Sequence, residues 1–565
     1  MKTYNFSKFC ITGLALSTYA FSAQKPARPN VIVILSDDMG YSDLGCFGSE
    51  IKTPNIDRLA ANGLRFTQFY NTPRSSPTRA SLLTGLYPHQ AGMGHLATQT
   101  YSQAGYYNDL SKNAVTMAEV FKNSGYSTYM TGKWHIAKNI LPQGDRSNWP
   151  LNRGFERFFG TLTGAGSFYD PGAMMSNNTF IAPTKDFYYT DAISDSTVKF
   201  IREHKAEKPF FFYVAYTAAH WPLHAPEHKI QKYNGVYKNG WDSIRYQRFR
   251  KLKSLGIIRN DAVLTERAVK IPAWENEPLK EWQQRRMQVY AAMIDVMDQG
   301  IGRIIDALDK KGELENTLIF FMQDNGACAE EIETNYLVKE LTSEQKILKP
   351  MKADSVFMEK KPDYTRDGIF IRGGRGLMPG AADTWLSYGE EWANVSNTPY
   401  RMYKHWTHEG GIATPLIAYW PLGIKQKGEL RKQPSNIIDI MATCVDICGL
   451  NYPTNYNNNK ISPYEGVSLK PAFSNKKLNR EFIFWEHESN RALRMGKWKL
   501  VSKTKKMMQF TAEDNKNWEL YNLENDPTET KNLAELYPKQ VEKMKTIWEK
   551  EALRIMAKPW PWDKE

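Results

Sequence analysis

The sequence predicts an α/β fold: a large, mainly parallel sheet sandwiched by helices, with a smaller C-terminal domain built on an antiparallel sheet and a helix. Three observations carry that expectation. Four runs, NVIVILSDD (30–38), YSTYMTGKWH (126–135), PFFFYVAYTAAH (209–220) and TLIFFMQDNG (317–326), are rich in apolar residues and end in polar ones, as strands buried on both faces do. Helical patterns lie between them: TPNIDRLAANG from Thr53, TMAEVFKNSG from Thr116 and a long stretch over 282–311. Strands alternating with helices make parallel sheets. From about Tyr452 the pattern changes to the short runs EFIFWEHES, RALRMGKWKLV and NWELYNLEND, closed by a helix around 537–556.

The ends and the connections follow from composition. Lys2 and Lys8 precede an apolar run over 9–21, then Ser22 and Ala23. That pattern is a secretory signal peptide over 1–22, since the run is too short to span a bilayer. No later segment is long and apolar enough to span one. An exported, periplasmic protein is expected, with a catalytic domain over 23–452 and a C-terminal subdomain over 453–565, joined near NYPTNYNNNK. Two stretches break the alternation and read as insertions, 225–281 and 329–397. Long loops near a sheet's active edge shape specificity.

Of five cysteines, Cys10 leaves with the leader. Cys46, Cys328, Cys444 and Cys448 are too few for a disulfide framework. Cys444 and Cys448 sit four apart in the helical-looking SNIIDIMATCVDICGL and are expected in the core. The formal charge of +13 suits a protein that meets anionic ligands. No dense Lys/Arg tract with interleaved aromatics stands out, which argues against nucleic acid.

The chemistry-bearing residues cluster at predicted strand ends. Asp37 and Asp38 follow the first strand, Asp324 and Asn325 a later one. Each pair alone reads as a turn or cap. Together they offer oxygens to a hard divalent cation such as Ca²⁺ or Mg²⁺; Zn²⁺ would recruit more His or Cys. Lys133 and His135 lie two apart at a strand end, His220 ends another strand, and Lys404 precedes HWTHEGGIATPLIAYWP. Beside an acidic metal cluster these cations make an oxyanion receptor. His224 is left structural, because Pro222 argues against a helix face shared with His220. In NTPRSSPTRASLLTG (71–85), Pro77 suits a first helical turn, Ser76 a cap and Gly85 a stop. Ser75 then sits just outside a helix N-terminus, with Arg79 able to turn back toward it, as a nucleophile facing an anion would.

SSPTRASLLTG is similar to the signature of the type I, formylglycine-dependent sulfatases, in which Cys or Ser is followed by any residue, Pro, any residue and Arg. SDDMGYSDLG, TPNIDRLAANGLRFTQFY, TGKWH, QDNG, HEGGIATPLIAYWP and WELYNLENDPTETKNLA resemble further motifs of that family in the same order, over nearly the whole mature chain. RGLMPGAADTWLSYGEEWANVSNTPYRMYKHWTHEGG resembles its bacterial arylsulfatase-like branch. The resemblance implies an alkaline phosphatase-like fold and a Ser75 oxidised to formylglycine, whose hydrate is the nucleophile. It implies Ca²⁺ held by Asp37, Asp38, Asp324, Asn325 and the modified Ser75. Arg79 and His135 would hold the hydrate, with Asp324 assisting its deprotonation. Lys133, His220 and Lys404 would grip the sulfate, and His220 or Lys404 would protonate the leaving alcohol.

A serine at the modified position implies a maturating radical S-adenosylmethionine enzyme as partner. The implied substrate is a sulfated carbohydrate. The branch points to exo-action on terminal sulfated galactose-type sugars, with 3-O-sulfate favoured, of host glycans such as mucin. Trp392, Tyr388 and His487 are candidates for the sugar pocket, with packing as the alternative for each. Two other readings exist. A phosphatase or phosphonate monoester hydrolase of the same superfamily would need a second set of Asp and His ligands, which the sequence does not present. A non-catalytic glycan-binding protein would have eroded the matched positions, all of which are filled.

Overall fold

The computed structural model describes Met1 and residues 28–562 apart from 206, 335–336, 338–347, 506–507, 510 and 512. The expected signal peptide lies outside the described residues. Eleven strands form one sheet: β1 (Asn30–Ser36), β2 (Leu64–Tyr70), β3 (Ser127–Lys133), β4 (Arg157–Thr161), β5 (Met174–Ser176), β6 (Thr179–Phe180), β7 (Phe210–Ala215), β8 (Thr317–Gln323), β9 (Ala413–Tyr419), β10 (Glu429–Arg431) and β11 (Ser435–Asn436). Their order is β10-β2-β9-β8-β1-β7-β3-β4-β5-β6, with β11 also on β2.

The four apolar runs are β8, β1, β7 and β3, side by side at the centre of the sheet and all parallel. Their lack of alternation has a direct cause. Ile32 and Ile34 of β1 face one core, whereas Val31, Val33 and Leu35 face another, so no residue of the strand meets water. Helices Tyr189–Glu203 and Lys280–Lys310 cover the first face through residues such as Ile193 and Ile301. Helices Ser75–Thr84, Met117–Asn123 and Asp439–Cys448 cover the second through Leu82, Val120 and Cys444. Thr116 and Glu119 close a reciprocal capping box at one helix start. The sheet is mixed toward both ends: β9 runs antiparallel between β2 and β8, and β5 runs antiparallel between β4 and β6.

The predicted linker contains a two-stranded hairpin, β12 (Asn455–Tyr456) with β13 (Asn459–Lys460). Beyond it, β14 (Ile483–His487), β15 (Asn490–Met495), β16 (Trp498–Ser502) and β17 (Trp518–Asn522) form an antiparallel sheet in chain order. Helix Pro538–Arg554 packs on it, with Trp548 stacked 5.3 Å from Phe484. Trp485 anchors this sheet to the large one: its ring meets Tyr70 and its Nε1 donates to the Asn71 carbonyl.

The two insertions are not wholly irregular, since helices Gly240–Ser254 and Gly389–Ser396 lie within them. Cys444 and Cys448 are buried, and the four described cysteines are all free. No helix among the described residues is long and apolar enough to cross a membrane.

Candidate active site

The parallel strands β1, β3, β7 and β8 end at one edge of the sheet, where ligands bind in open α/β folds. Asp37 and Asp38 leave β1, Lys133 closes β3, His220 follows β7, and Asp324 and Asn325 leave β8. Helix Ser75–Thr84 brings Ser75 and Arg79 to the same edge, and the segment before β9 brings Lys404.

Ser75 departs from expectation in one detail. It is the first residue of the helix, the flanking position belongs to an extended Arg74 without a side-chain cap, and Gly85 closes the helix in the left-handed conformation. The Ser76 hydroxyl is not a cap, because it donates to the His135 carbonyl at 2.8 Å and ties the helix to the loop after β3. Ser75 Oγ donates to Asp324 Oδ2 at 2.6 Å and accepts from Arg79 Nε at 3.1 Å.

The carboxylates are threaded by cations. Lys133 Nζ donates to Asp37 Oδ2 at 2.5 Å, with Arg79 Nη2 3.4 Å away. Lys404 Nζ donates to Asp38 Oδ2 at 2.8 Å, and His220 Nε2 lies 3.3 Å from the same oxygen. Asn325 Nδ2 donates to Asp38 Oδ1 at 2.7 Å. Asp38 and His135 hold φ of 59° and 55°, the strained backbone that often marks functional sites. The His135 ring leaves no room for a side chain at Gly164, since a Cβ there would collide with it.

Burial and pairing set the charges. Burial opposes ionisation of Asp38, but Lys404 and His220 outweigh it and hold the carboxyl below its ordinary range. Burial likewise opposes ionisation of Asp324, and Arg79 reverses it. Asp37 goes the other way, pushed up by burial and by neighbouring Asp324. Burial pushes His220 down to about 3 and, with Lys133 and Arg79, holds His135 well below its usual value. Lys404 is raised despite its burial, because Asp38 holds the ammonium charged.

Asp37 Oδ1 and Asn325 Oδ1 are buried without a hydrogen-bond partner among the described residues. Unpaired buried oxygens are costly. With Asp38 and Asp324 they form an oxygen-rich donor set that fits a hard cation.

Ser75, Lys133, His135, His220 and Lys404 line one pocket of about 290 Å³. Among the further lining residues missed from the sequence are Arg74, Trp221, Glu330 and Lys360. Arg74 and Trp221 adjoin Ser75 and His220, so adjacency could have found them. Glu330 and Lys360 come from the 329–397 insertion and carried no motif. Glu330 accepts from Arg74 Nη1 at 3.0 Å and from Trp221 Nε1 at 2.7 Å.

The three sugar-pocket candidates fall outside. Trp392 is fully buried, donates to the Gln283 carbonyl and packs against Tyr237, Trp241 and Trp274. Tyr388 stacks 4.3 Å from Tyr290. His487 is buried and stacked 5.4 Å from His95. Packing claims all three. His224 is buried, with Nε2 against the Thr384 carbonyl at 2.6 Å, in the structural role expected of it.

Comparison with known proteins places this geometry. The sulfatase family model matches residues 29–450, and that of the N-sulphoglucosamine sulphohydrolase C-terminal region matches 400–556. An arylsulfatase of Klebsiella aerogenes is 34% identical over 474 residues, covering 81% of this chain and 94% of that protein. An uncharacterised sulfatase of Schizosaccharomyces pombe is 31% identical over 560 residues, 94% of each chain. A structure solved in complex with k-i-k-neocarrahexaose has a TM-score of 0.61 at 23% identity, over 95% of this chain and 94% of that one. A putative sulfatase from Bacteroides fragilis has 0.59 at 20%, over 96% and 100%. At those identities the solved structures speak for the shared alkaline phosphatase-like fold. The family also implies a formylglycine and a metal, and the matched length and identity decide the rest: this chain belongs to the sulfatase family and is a sulfuric ester hydrolase.

Proposed function

We propose that this sulfatase releases sulfate from sulfated saccharides by exo-action, one terminal sugar at a time. The observation that carries the reading is the convergence of Lys133, His135, His220 and Lys404 with Ser75 in a pocket of about 290 Å³. That volume is at the lower end of the roughly 300–1,000 Å³ typical of ligand pockets, enough for a sulfate and one sugar ring. Structural neighbours solved with a neocarrahexaose and with the substrate D-glucosamine-2-N,6-O-disulfate support a saccharide. The branch resemblance supports a terminal galactose-type sugar bearing 3-O-sulfate, as on host mucin. It also supports an exported, periplasmic enzyme matured by a radical S-adenosylmethionine enzyme.

A formylglycine formed at position 75 would supply the attacking oxygen, and a Ca²⁺, which Asp37, Asp38, Asp324, Asn325 and that residue would hold, would supply positive charge. The chain's own residues do the rest. Arg79 Nε, with His135 lining the same pocket, orients the oxygen at position 75, and Asp324 Oδ2 at 2.6 Å is placed to take its proton. Lys133, His220 and Lys404 face the negative charge that spreads over sulfate oxygens as sulfur is attacked. The leaving alcohol takes its proton from His220 or Lys404. In this arrangement Lys404 is charged, while the His220 Nδ1 is engaged with the Trp221 carbonyl at 2.6 Å.

The test is a panel of defined monosulfated saccharides differing in sugar and sulfate position, run on enzyme whose Ser75 peptide has lost two hydrogens by mass spectrometry. Sulfate released from a terminal 3-O-sulfated galactose supports the reading. Release only from sulfates inside a polymer overturns it.

A further inference from the structure

The cations of the pocket are nearly all spoken for. Lys133 is paired with Asp37, Lys404 with Asp38, Arg79 with Asp37 and Asp324, and Arg74 with Glu330. Lys360 is the exception: it lines the pocket yet pairs with no carboxylate among the described residues. Its ammonium sits 3.9 Å over the Trp221 ring, where a cation is held by the ring's negative face. Glu330, an acidic residue lining the same pocket, is engaged by Arg74, Trp221 and His405. The residue is exposed at the mouth, while its ammonium end rests on a nearly buried ring. Withdrawal of that end from water, reinforced by Lys404 and Lys133 against the opposing pull of Glu330, brings it down to about 8, so it is still mostly charged at neutral pH.

Glu330 attracts the Lys360 ammonium without pairing with it, and that one carboxylate also serves Arg74, Lys404 and His405, so a cation in this crowd is stabilised further when an anion arrives. In the mechanism above the scissile sulfate is assigned to Lys133 and Lys404, both of them buried. We propose that Lys360 binds a second sulfate group on the same sugar, which makes the enzyme prefer disulfated over monosulfated substrates. This rests on the saccharide reading above and adds to it the charge pattern of the sugar. Trp221 preorganises the ammonium, and the insertion carrying Lys360 sets the preference without touching the reacting atoms.

The test uses matched pairs, galactose 3-sulfate with galactose 3,6-disulfate and glucosamine 6-sulfate with glucosamine 2-N,6-O-disulfate. Each competes against hydrolysis of 4-nitrophenyl sulfate by the matured full chain. For the wild type, the disulfated member of at least one pair should bind about tenfold tighter, as one charge-assisted hydrogen bond provides. In Lys360→Gln that ratio should collapse to about one, and in Lys360→Arg it should persist. A wild-type ratio near one in both pairs, or a ratio that survives in Lys360→Gln, overturns the proposal. If no saccharide competes while 4-nitrophenyl sulfate is hydrolysed, the saccharide reading fails instead.

Discussion

Arg79 Nε donates a 3.1 Å hydrogen bond to Ser75 Oγ from one turn further along the same helix, while its Nη2 reaches Asp324 Oδ2 at 3.1 Å. One buried guanidinium thus ties Ser75 to the acidic cluster. A lysine cannot make both contacts, because its single ammonium lacks the planar fork. Arg79→Lys should lower kcat on 4-nitrophenyl sulfate by about 100-fold, the scale of one lost preorganised donor. Arg79→Ala should also cost about 3–5 kcal/mol of stability, the penalty for leaving buried carboxylates uncompensated. Steady-state kinetics and urea midpoints check both, and a lysine variant with wild-type kcat would refute the assignment.

Asp37 Oδ1 and Asn325 Oδ1 point to the second expectation. Three buried carboxylates and two unpaired oxygens at one sheet edge are stabilised by a bound cation and repel one another without it. Treatment with a chelator should lower both activity and the thermal midpoint, and Ca²⁺ should restore both. Undiminished activity after exhaustive chelation would remove the metal from the account.

Lys404 connects Asp38 to the pocket, at 2.8 Å from that carboxylate and 3.9 Å from Glu330. In the proposed mechanism Lys404→Ala removes a charge that faces the developing negative charge, so kcat/KM should fall about 100-fold or more. Circular dichroism should show the fold intact. Kinetics within twofold of wild type would mean that Lys404 does not face the sulfate.

Much of the site was readable from the chain because its residues sit at strand ends. Once NVIVILS, YSTYMTGK, FFFYVA and TLIFFMQ are strands of one parallel sheet, their following residues must share an edge. Lys360 and Glu330 could not be read this way, because the insertion that carries them has no period and reaches the pocket only through tertiary packing. Trp392 misled for the converse reason. It stands in a polar stretch, and its burial depends on Trp241 and Trp274, contributed by the other insertion. Ser75 was off by one position, since the serine preceding Pro77 read as a cap whereas its hydroxyl is drawn to the His135 carbonyl.

Trp392 offers a direct test of packing against substrate contact. Its ring is fully buried, with its Nε1 on the Gln283 carbonyl. Trp392→Ala should destabilise by about 3–5 kcal/mol through the cavity it leaves. KM of the folded fraction should stay within about twofold of wild type, since no binding contact is lost. A large rise in KM at unchanged stability would return the residue to the sugar pocket.

His224 predicts how the fold responds to acid. Burial drives its imidazole down to about 4, against the favourable hydrogen bond to the Thr384 carbonyl. Between about pH 6.5 and 4 the unfolded chain binds a proton at this side chain that the folded chain refuses, so stability falls as pH drops through that window and is level above it. At pH 5 the loss from this one group is about 2 kcal/mol. His224→Gln removes the titration. Its urea midpoint should therefore start below wild type at pH 7, because the buried hydrogen bonds are disturbed, yet shift less between pH 7 and pH 5. Equal acid shifts in the two proteins would show that His224 takes up its proton without unfolding.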